Sequence, residues 1–200
     1  MKKDILKHTK VIVLLHEIYG VNAFMISMTQ VFKDAGFDVV CPDYIGRVFA
    51  YEDSALAYQS FTEDVGFSVY HDIDKLIAHL KQEYEQVLLI GFSIGATIAW
   101  RCSENPDCDG VIACYGSRIR DYMQVVPQCP VCLLFAEKDS FPVSEIADRL
   151  RAKHSVQIHI YAAEHGFLDS FSPNYDAEQA VYAFHDIQAF LTPPNPVLKK

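Results

Sequence analysis

Short apolar runs and amphipathic stretches alternate along the whole of this sequence. Six runs are predicted to be strands, at residues 10–16, 37–41, 86–91, 110–115, 130–136 and 156–161. Most of them are continuously hydrophobic and rich in valine, isoleucine and leucine, which is typical of parallel strands covered on both faces. Helical spacing of apolar residues predicts helices over residues 22–35, 61–84, 94–103, 143–153 and 176–191. The fold class is therefore α/β, a mostly parallel central sheet with helices on both faces.

The connections between these elements indicate how many domains to expect. A chain of 200 residues without a linker or repeat favours a single domain over residues 1–200. Only the stretch 42–62 is long, so no large cap domain is expected, and this stretch is the best candidate for a mobile rim. Residues 192–200 carry three prolines after the last predicted helix, which predicts a flexible tail.

Charge and cysteine content exclude several classes of function. The 17 basic and 26 acidic residues give a net charge of −9, and such a surface repels nucleic acid and anionic membranes. No apolar run reaches transmembrane length, and none follows the N-terminal residues as a secretory signal would require. Cys129 and Cys132 have CxxC spacing but precede a strand, which favours core packing over redox or zinc chemistry. These features favour a cytoplasmic protein.

The segment 91–95, with the sequence GFSIG, is the first chemical signal. It follows a predicted strand and precedes a predicted helix, the context in which GxSxG presents a nucleophilic serine on a sharp turn. The amides at the start of the helix would then face a developing oxyanion. Ser93 is therefore the predicted nucleophile. The alternative is a tight turn in which Ser93 only caps the helix.

A serine nucleophile needs a base, and the base needs an acid to orient it, in the chain order serine, acid, histidine for this geometry. Asp139 and His165 each follow a predicted strand, where open α/β sheets place their sites. Glu137 is an alternative acid, although it lies closer to the strand. Five other histidines lie in helical segments, at a helix end or in a strand, where structural or solvated roles are simpler: His71, His79, His154, His159 and His185.

The segment 16–20, with the sequence HEIYG, directly follows the first strand and is the second signal. Together with the GxSxG turn, it resembles the dienelactone hydrolase family of α/β-hydrolases. The resemblance covers most of the chain and implies an oxyanion hole formed by the amides of Ile18 and Ile94. It also implies that Glu17 points into the site and contacts the nucleophile. From the residues alone, burial at a strand end would raise the pKa of Glu17, although a helix-capping role is the alternative.

Two departures from the family pattern bear on the chemistry. Its best-known members use cysteine where this chain has Ser93, so Ser93 should depend on His165 as in a serine esterase. Members that cleave dienelactone hold the substrate carboxylate with arginines, one before the long helix and one after the catalytic histidine. Here the corresponding segments 51–54 and 168–170 contain acidic residues, and Arg47 is the remaining arginine candidate. A small anionic lactone is therefore not the expected substrate.

Aromatic residues at strand ends are the predicted lining of the pocket, which would suit an uncharged and partly apolar substrate. The candidates are Tyr19, Tyr44, Tyr115, Phe141 and Phe167. The alternative is that several of these rings only pack the loops.

The predicted function is hydrolysis of a small carboxylic ester or lactone through an acyl-enzyme, with no metal or organic cofactor, by a monomer or homodimer. A thioesterase or small peptidase using the same residues is one alternative. A non-catalytic ligand-binding module with this fold is the other.

Overall fold

A computed structural model of the protein describes residues 8–192. Six parallel strands form one sheet in the order β2-β1-β3-β4-β5-β6. The strands are β1 (His8–Leu15), β2 (Asp38–Val40), β3 (Tyr84–Phe92), β4 (Gly110–Cys114), β5 (Val131–Lys138) and β6 (Val156–Glu164). The helices are α1 (Ala23–Asp34), α2 (Ser54–Ser60), α3 (Tyr70–Glu83), α4 (Ile94–Cys102), α5 (Val143–Arg151) and α6 (Ala177–Leu191). The predicted parallel α/β fold is confirmed.

The two faces of the sheet bury alternate residues of the same strands. In β1, Val11, Val13 and Leu15 face a core that also holds apolar residues of α3, α4 and α5. Ile12 and Leu14 face the opposite core, which holds apolar residues of α1 and α6. Because side chains alternate across a strand, helices on both faces require a strand that is apolar at every position. This requirement explains the continuous apolar runs.

The prediction of one helix over residues 61–84 is wrong in its first part. A π-helical turn (Phe61–Val65) and a short 3-10 turn (Phe67–Val69) precede α3, which begins at Tyr70. Gly66 separates the two turns with φ of 66°, a left-handed backbone conformation that glycine adopts readily. The predicted rim 42–62 is also not wholly a loop, because α2 forms within it.

Five of the six cysteines are buried, Cys41 is partly buried, and all six are free thiols. Cys129 is buried on one face of the sheet and Cys132 on the other, so the CxxC spacing does not bring them together. The Sγ atom of Cys129 instead lies 3.8 Å from that of Cys108. Within residues 8–192, no helix combines the length and apolar character needed to cross a bilayer. Most of the predicted tail, from residue 193, lies outside the described residues.

Candidate active site

The turn between β3 and α4 presents Ser93 in a strained conformation. Its φ is 53° and its ψ is −111°, and the turn is fixed by a hydrogen bond of 2.9 Å from the Ser93 amide to the Cys114 carbonyl. The Ser93 side chain makes no capping hydrogen bond to α4. The alternative interpretation, in which Ser93 only caps the helix, is therefore not what the structure shows.

Close backbone approach explains both glycines of the turn. A Cβ atom on Gly91 would lie 2.6 Å from the Ala96 amide nitrogen, and it would overlap the Gly95 carbonyl. A Cβ atom on Gly95 would lie 2.6 Å from the carbonyl carbon of Leu15, at the end of β1. Both distances are far inside van der Waals contact, so these positions need glycine for space rather than for backbone freedom. The tight packing brings the end of β1 against the start of α4.

Ser93, His165 and Asp139 form a continuous chain of hydrogen bonds. Ser93 Oγ lies 2.8 Å from His165 Nε2, and His165 Nδ1 lies 2.7 Å from Asp139 Oδ2. The Asp139 side chain is 3% exposed, and the Ser140 amide donates to its Oδ1 at 2.6 Å. Burial alone would raise the pKa of Asp139, but the hydrogen bond and charge of His165, with the bonds from Ser140, lower it overall. Asp139 is therefore ionised near neutral pH.

Two residues that were not predicted for these roles hold His165 in place. The Asn174 side chain donates a hydrogen bond of 2.9 Å to the His165 carbonyl. The Tyr115 ring contacts the imidazole edge-on, with 5.1 Å between ring centroids, and Tyr115 itself has a φ of 43°. Asn174 lies nine residues after His165 in a loop, and no sequence pattern links it to the site.

Ile18 and Ile94 line the same cleft as Ser93. Ile94 is the first residue of α4, where backbone amides have no partner within the helix. Among residues 8–192, neither the Ile18 amide nor the Ile94 amide donates to another backbone carbonyl. The dipole of α4 favours negative charge at the start of this helix.

Glu17 is buried next to these amides, with 5% of its surface exposed. Burial raises its pKa to about 7, with His165 opposing the shift and Asp169 adding to it. Its Oε1 and the Tyr115 hydroxyl are each buried without a partner of good hydrogen-bond geometry, although each group affects the pKa of the other. Asn22, not Glu17, caps α1, since its Oδ1 accepts the Met25 amide at 3.1 Å. The capping alternative for Glu17 is therefore excluded.

A cleft of about 460 Å³ opens above Ser93. Its lining consists of Ile18, Tyr58, Ser93, Ile94, Ser117, Arg118, Lys138, Asp139, Ser140, Glu164, His165 and Asn174. Beyond Ile18, Ile94 and Tyr58 the wall is polar or charged. This lining differs from the aromatic pocket expected from the sequence.

None of the five predicted aromatic residues is part of the lining of this cleft. Tyr115 and Phe167 are fully buried beneath His165, with their rings 5.8 Å apart. Tyr19 packs against the Tyr51 ring, Tyr44 stacks on His16 at 3.7 Å, and Phe141 packs against Phe135. The alternative, that these rings pack against neighbouring parts of the protein, describes them better, because each contacts another ring of the protein.

The arginine beside the cleft is also not the one expected. Arg47 donates a hydrogen bond of 2.6 Å to Ser60 Oγ and lies over the Phe49 ring, outside the cleft lining. Arg118 lines the cleft, with its Nε 2.7 Å from an Asp121 carboxylate oxygen. No group of three or more potential metal ligands occurs in the part of the chain that the structure describes.

Comparison with known proteins places this arrangement in a family. The sequence profile of the dienelactone hydrolase family matches residues 2–193. The chain belongs to the dienelactone hydrolase family. It is thus an α/β-hydrolase, and the family acts on ester and lactone bonds.

Individual relatives extend over most of the chain. The uncharacterized protein YczH of Bacillus subtilis is 38% identical over 163 residues, which are 79% of this chain and 80% of YczH. A carboxymethylenebutenolidase of Pseudomonas putida is 26% identical over 201 residues, covering 92% of this chain and 85% of its own. A crystal structure from Klebsiella pneumoniae, of a protein proposed to be a dienelactone hydrolase, has a TM-score of 0.79. It is 18% identical, covers 96% of this chain and 90% of its own, and supports the fold.

Proposed function

We propose that this protein is a serine hydrolase that cleaves a small carboxylic ester or lactone through an acyl-enzyme. The single observation that carries the proposal is the hydrogen-bonded chain from Ser93 through His165 to Asp139. The carboxymethylenebutenolidase relatives support a lactone or ester as the substrate class.

The first chemical step is attack of Ser93 Oγ on the substrate carbonyl carbon. His165 Nε2 accepts the serine proton, while the Asp139 carboxylate accepts a hydrogen bond from Nδ1–H and stabilises the imidazolium that forms. The carbonyl oxygen becomes an oxyanion, which the amides of Ile18 and Ile94 stabilise. The tetrahedral intermediate collapses as His165 returns the proton to the leaving alkoxide. The products of this step are an ester of Ser93 and the free alcohol, or the ring-opened chain for a lactone.

Water completes the reaction by the same route. His165 accepts a proton from water as the oxygen attacks the acyl carbon, and it returns that proton to Ser93 Oγ when the acid leaves. Neither step requires a metal or an organic cofactor. The Ser93 hydroxyl, unlike a thiolate, must lose its proton during attack, so the reaction depends on His165 as a base.

The cleft favours a small substrate with polar substituents. Its volume of about 460 Å³ and its limited apolar lining suit a short acyl group better than a long alkyl chain. Arg118 and Lys138 add hydrogen-bond donors to a lining that also includes the apolar side chains of Ile18 and Ile94. The six free thiols further support our proposal of a cytoplasmic enzyme.

A panel of p-nitrophenyl esters with acyl chains of two to twelve carbons tests this function. We expect turnover of the short esters, a steep fall for the long ones, and loss of turnover in Ser93→Ala. Ser103→Ala is the matched control, because Ser103 is a fully buried serine at the other end of α4 and should retain activity. A folded protein that turns over none of the esters but cleaves acyl thioesters would favour the thioesterase alternative. Equal rates in Ser93→Ala and wild type would contradict the serine mechanism.

A further inference from the structure

Two carboxyl groups are buried together behind His165, and the mechanism above uses neither. Glu17 follows the end of β1, and Asp169 lies in the loop after His165 and is fully buried. The charge of Asp169 raises the pKa of Glu17, and burial raises the pKa of Asp169 itself. Two ionised carboxylates at a site removed from water repel each other, so a proton on one of them relieves the repulsion.

Hydrogen bonds distinguish the two carboxyl groups. The Tyr51 hydroxyl donates to Asp169 Oδ2 at 2.5 Å, and the Phe171 amide donates to Asp169 Oδ1 at 2.8 Å. The Asn22 side chain donates in turn to the Tyr51 oxygen at 3.2 Å, which fixes the direction of the Tyr51 hydroxyl toward Asp169. Glu17 Oε1 has no such donor. Donors stabilise the ionised form of a carboxyl, so Asp169 is the partner equipped to carry the charge.

The groups around Glu17 do not supply a compensating cation. Among the described residues, the charged groups that act on Glu17 are His165 and Asp169, and no lysine or arginine contributes. The other titratable groups that respond to Glu17 are neutral near pH 7: Tyr19, Tyr44, Tyr51, Tyr115 and Cys114. Protonation of Glu17 is therefore what limits the negative charge of this cluster.

We propose that Glu17 holds a proton while Asp169 carries the negative charge, and that Asp169 is a positioning residue that keeps Glu17 neutral beside the reacting groups. This inference rests on the proposed hydrolase function. Glu17 directly precedes Ile18, whose amide would bind the oxyanion, and an ionised Glu17 would repel that oxyanion. A neutral Glu17 avoids this repulsion.

The proposal predicts a falling limb in the pH dependence of kcat/KM. Activity should fall as Glu17 ionises, near pH 7, where burial and Asp169 together place its pKa. Asp169→Asn removes the repelling charge, so Glu17 should ionise at a lower pH, by about one pH unit, and the falling limb should move with it. Glu17→Gln should abolish the falling limb.

A measurement that needs no turnover separates this proposal from the proposed function. We would label the full-length protein with ¹³C at the glutamate δ-carboxyl and follow the carboxyl resonances by NMR, with the Glu17 signal assigned by its loss in Glu17→Gln. The expected result is a Glu17 titration near pH 7 that moves about one pH unit lower in Asp169→Asn. Glu52→Gln is the matched control, because Glu52 is an exposed acid next to Tyr51 and its loss changes the net charge equally.

Two outcomes would overturn a neutral Glu17 maintained by Asp169. A Glu17 titration between pH 4 and 5 in the wild type, or an identical midpoint in Asp169→Asn, would contradict it even in an active enzyme. If Asp169→Asn does not fold, Tyr51→Phe provides the second test. Asp169 then loses a hydrogen-bond donor and binds a proton more readily, so Glu17 should again titrate at a lower pH. An unchanged Glu17 midpoint in Tyr51→Phe would also refute the proposal. A protein with no esterase activity but with these shifts would refute only the proposed function.

Discussion

Replacing Glu17 by glutamine should stabilise the folded protein at alkaline pH much more than at acidic pH. Burial raises the pKa of Glu17 from an ordinary value of 4.5 to about 7 in the folded state. Between these two values the unfolded chain has released the proton that the folded chain still holds. The stabilisation from neutral Glu17 is therefore complete below pH 4.5 and is lost as the pH rises through 7.

The size of this effect follows from the two pKa values. The difference between 4.5 and about 7 at Glu17 corresponds to roughly 3 kcal/mol at 1.36 kcal/mol per pH unit. Between pH 5 and pH 8, the contribution of Glu17 to the free energy of unfolding should change by about 2.5 kcal/mol. Glutamine has nearly the same shape and does not titrate, so Glu17→Gln should lack this contribution entirely.

Urea denaturation of wild type and Glu17→Gln at pH 5, 6, 7 and 8 measures the effect. The comparison must be between the two proteins, because burial also lowers the pKa of His16 to about 4, which makes stability rise with pH over part of this range. The free energy of unfolding of Glu17→Gln, relative to that of wild type, should rise by about 2.5 kcal/mol from pH 5 to pH 8. Glu52→Gln should show no such trend. A difference between wild type and Glu17→Gln that is constant to within about 0.5 kcal/mol over this range would refute a buried, neutral Glu17.

Three further predictions concern the turn and the hydrogen-bonded chain. Asp139→Asn should lower kcat for short p-nitrophenyl esters about 10⁴-fold, as Ser93→Ala should, with far-ultraviolet circular dichroism unchanged; a loss of less than tenfold would contradict the role of Asp139. Gly95→Ala should reduce the free energy of unfolding by more than 3 kcal/mol or prevent folding, since its Cβ would overlap β1. In Gly46→Ala the added Cβ would have nothing within 4 Å, so only the φ of 76° should reduce the free energy of unfolding, by about 1 kcal/mol. If urea denaturation showed similar losses for Gly95→Ala and Gly46→Ala, the steric explanation would be refuted. Asn174→Ala should lower kcat about tenfold with little change in stability, because it removes one hydrogen bond that orients His165; an unchanged kcat would contradict this role.

The fold was predictable because its main signal is a periodicity that many residues share. The central strands β1, β4 and most of β3 and β5 are apolar at successive positions because they are covered on both faces, and this pattern predicts strands. The break before α3 was not predictable in the same way. Apolar spacing continues across residues 61–84, and only the backbone of Gly66 shows where the helix is interrupted.

The positions of the three residues proposed for the chemistry were predictable, because chain order limits where they lie. Ser93, Asp139 and His165 each follow a strand of the parallel sheet, and the carboxyl ends of such strands meet at one edge. The direction of a side chain beyond a strand end depends on local backbone angles that a sequence does not reveal. Tyr115 follows β4 with a φ of 43°, and its ring is directed beneath His165 instead of into the cleft. The same limit explains why the role of Asn174 could not be predicted.

Labelling with a fluorophosphonate probe tests the central claim most directly, because phosphonylation requires a serine activated by a base. The probe should add once per chain, at Ser93 by peptide mapping, and the intact mass of Ser93→Ala should not change. His165→Ala, which retains Ser93 but lacks the base, should label at least 100-fold more slowly. Labelling of another serine, equal labelling rates in His165→Ala and wild type, or no labelling of the folded protein would contradict a nucleophilic Ser93 activated by His165.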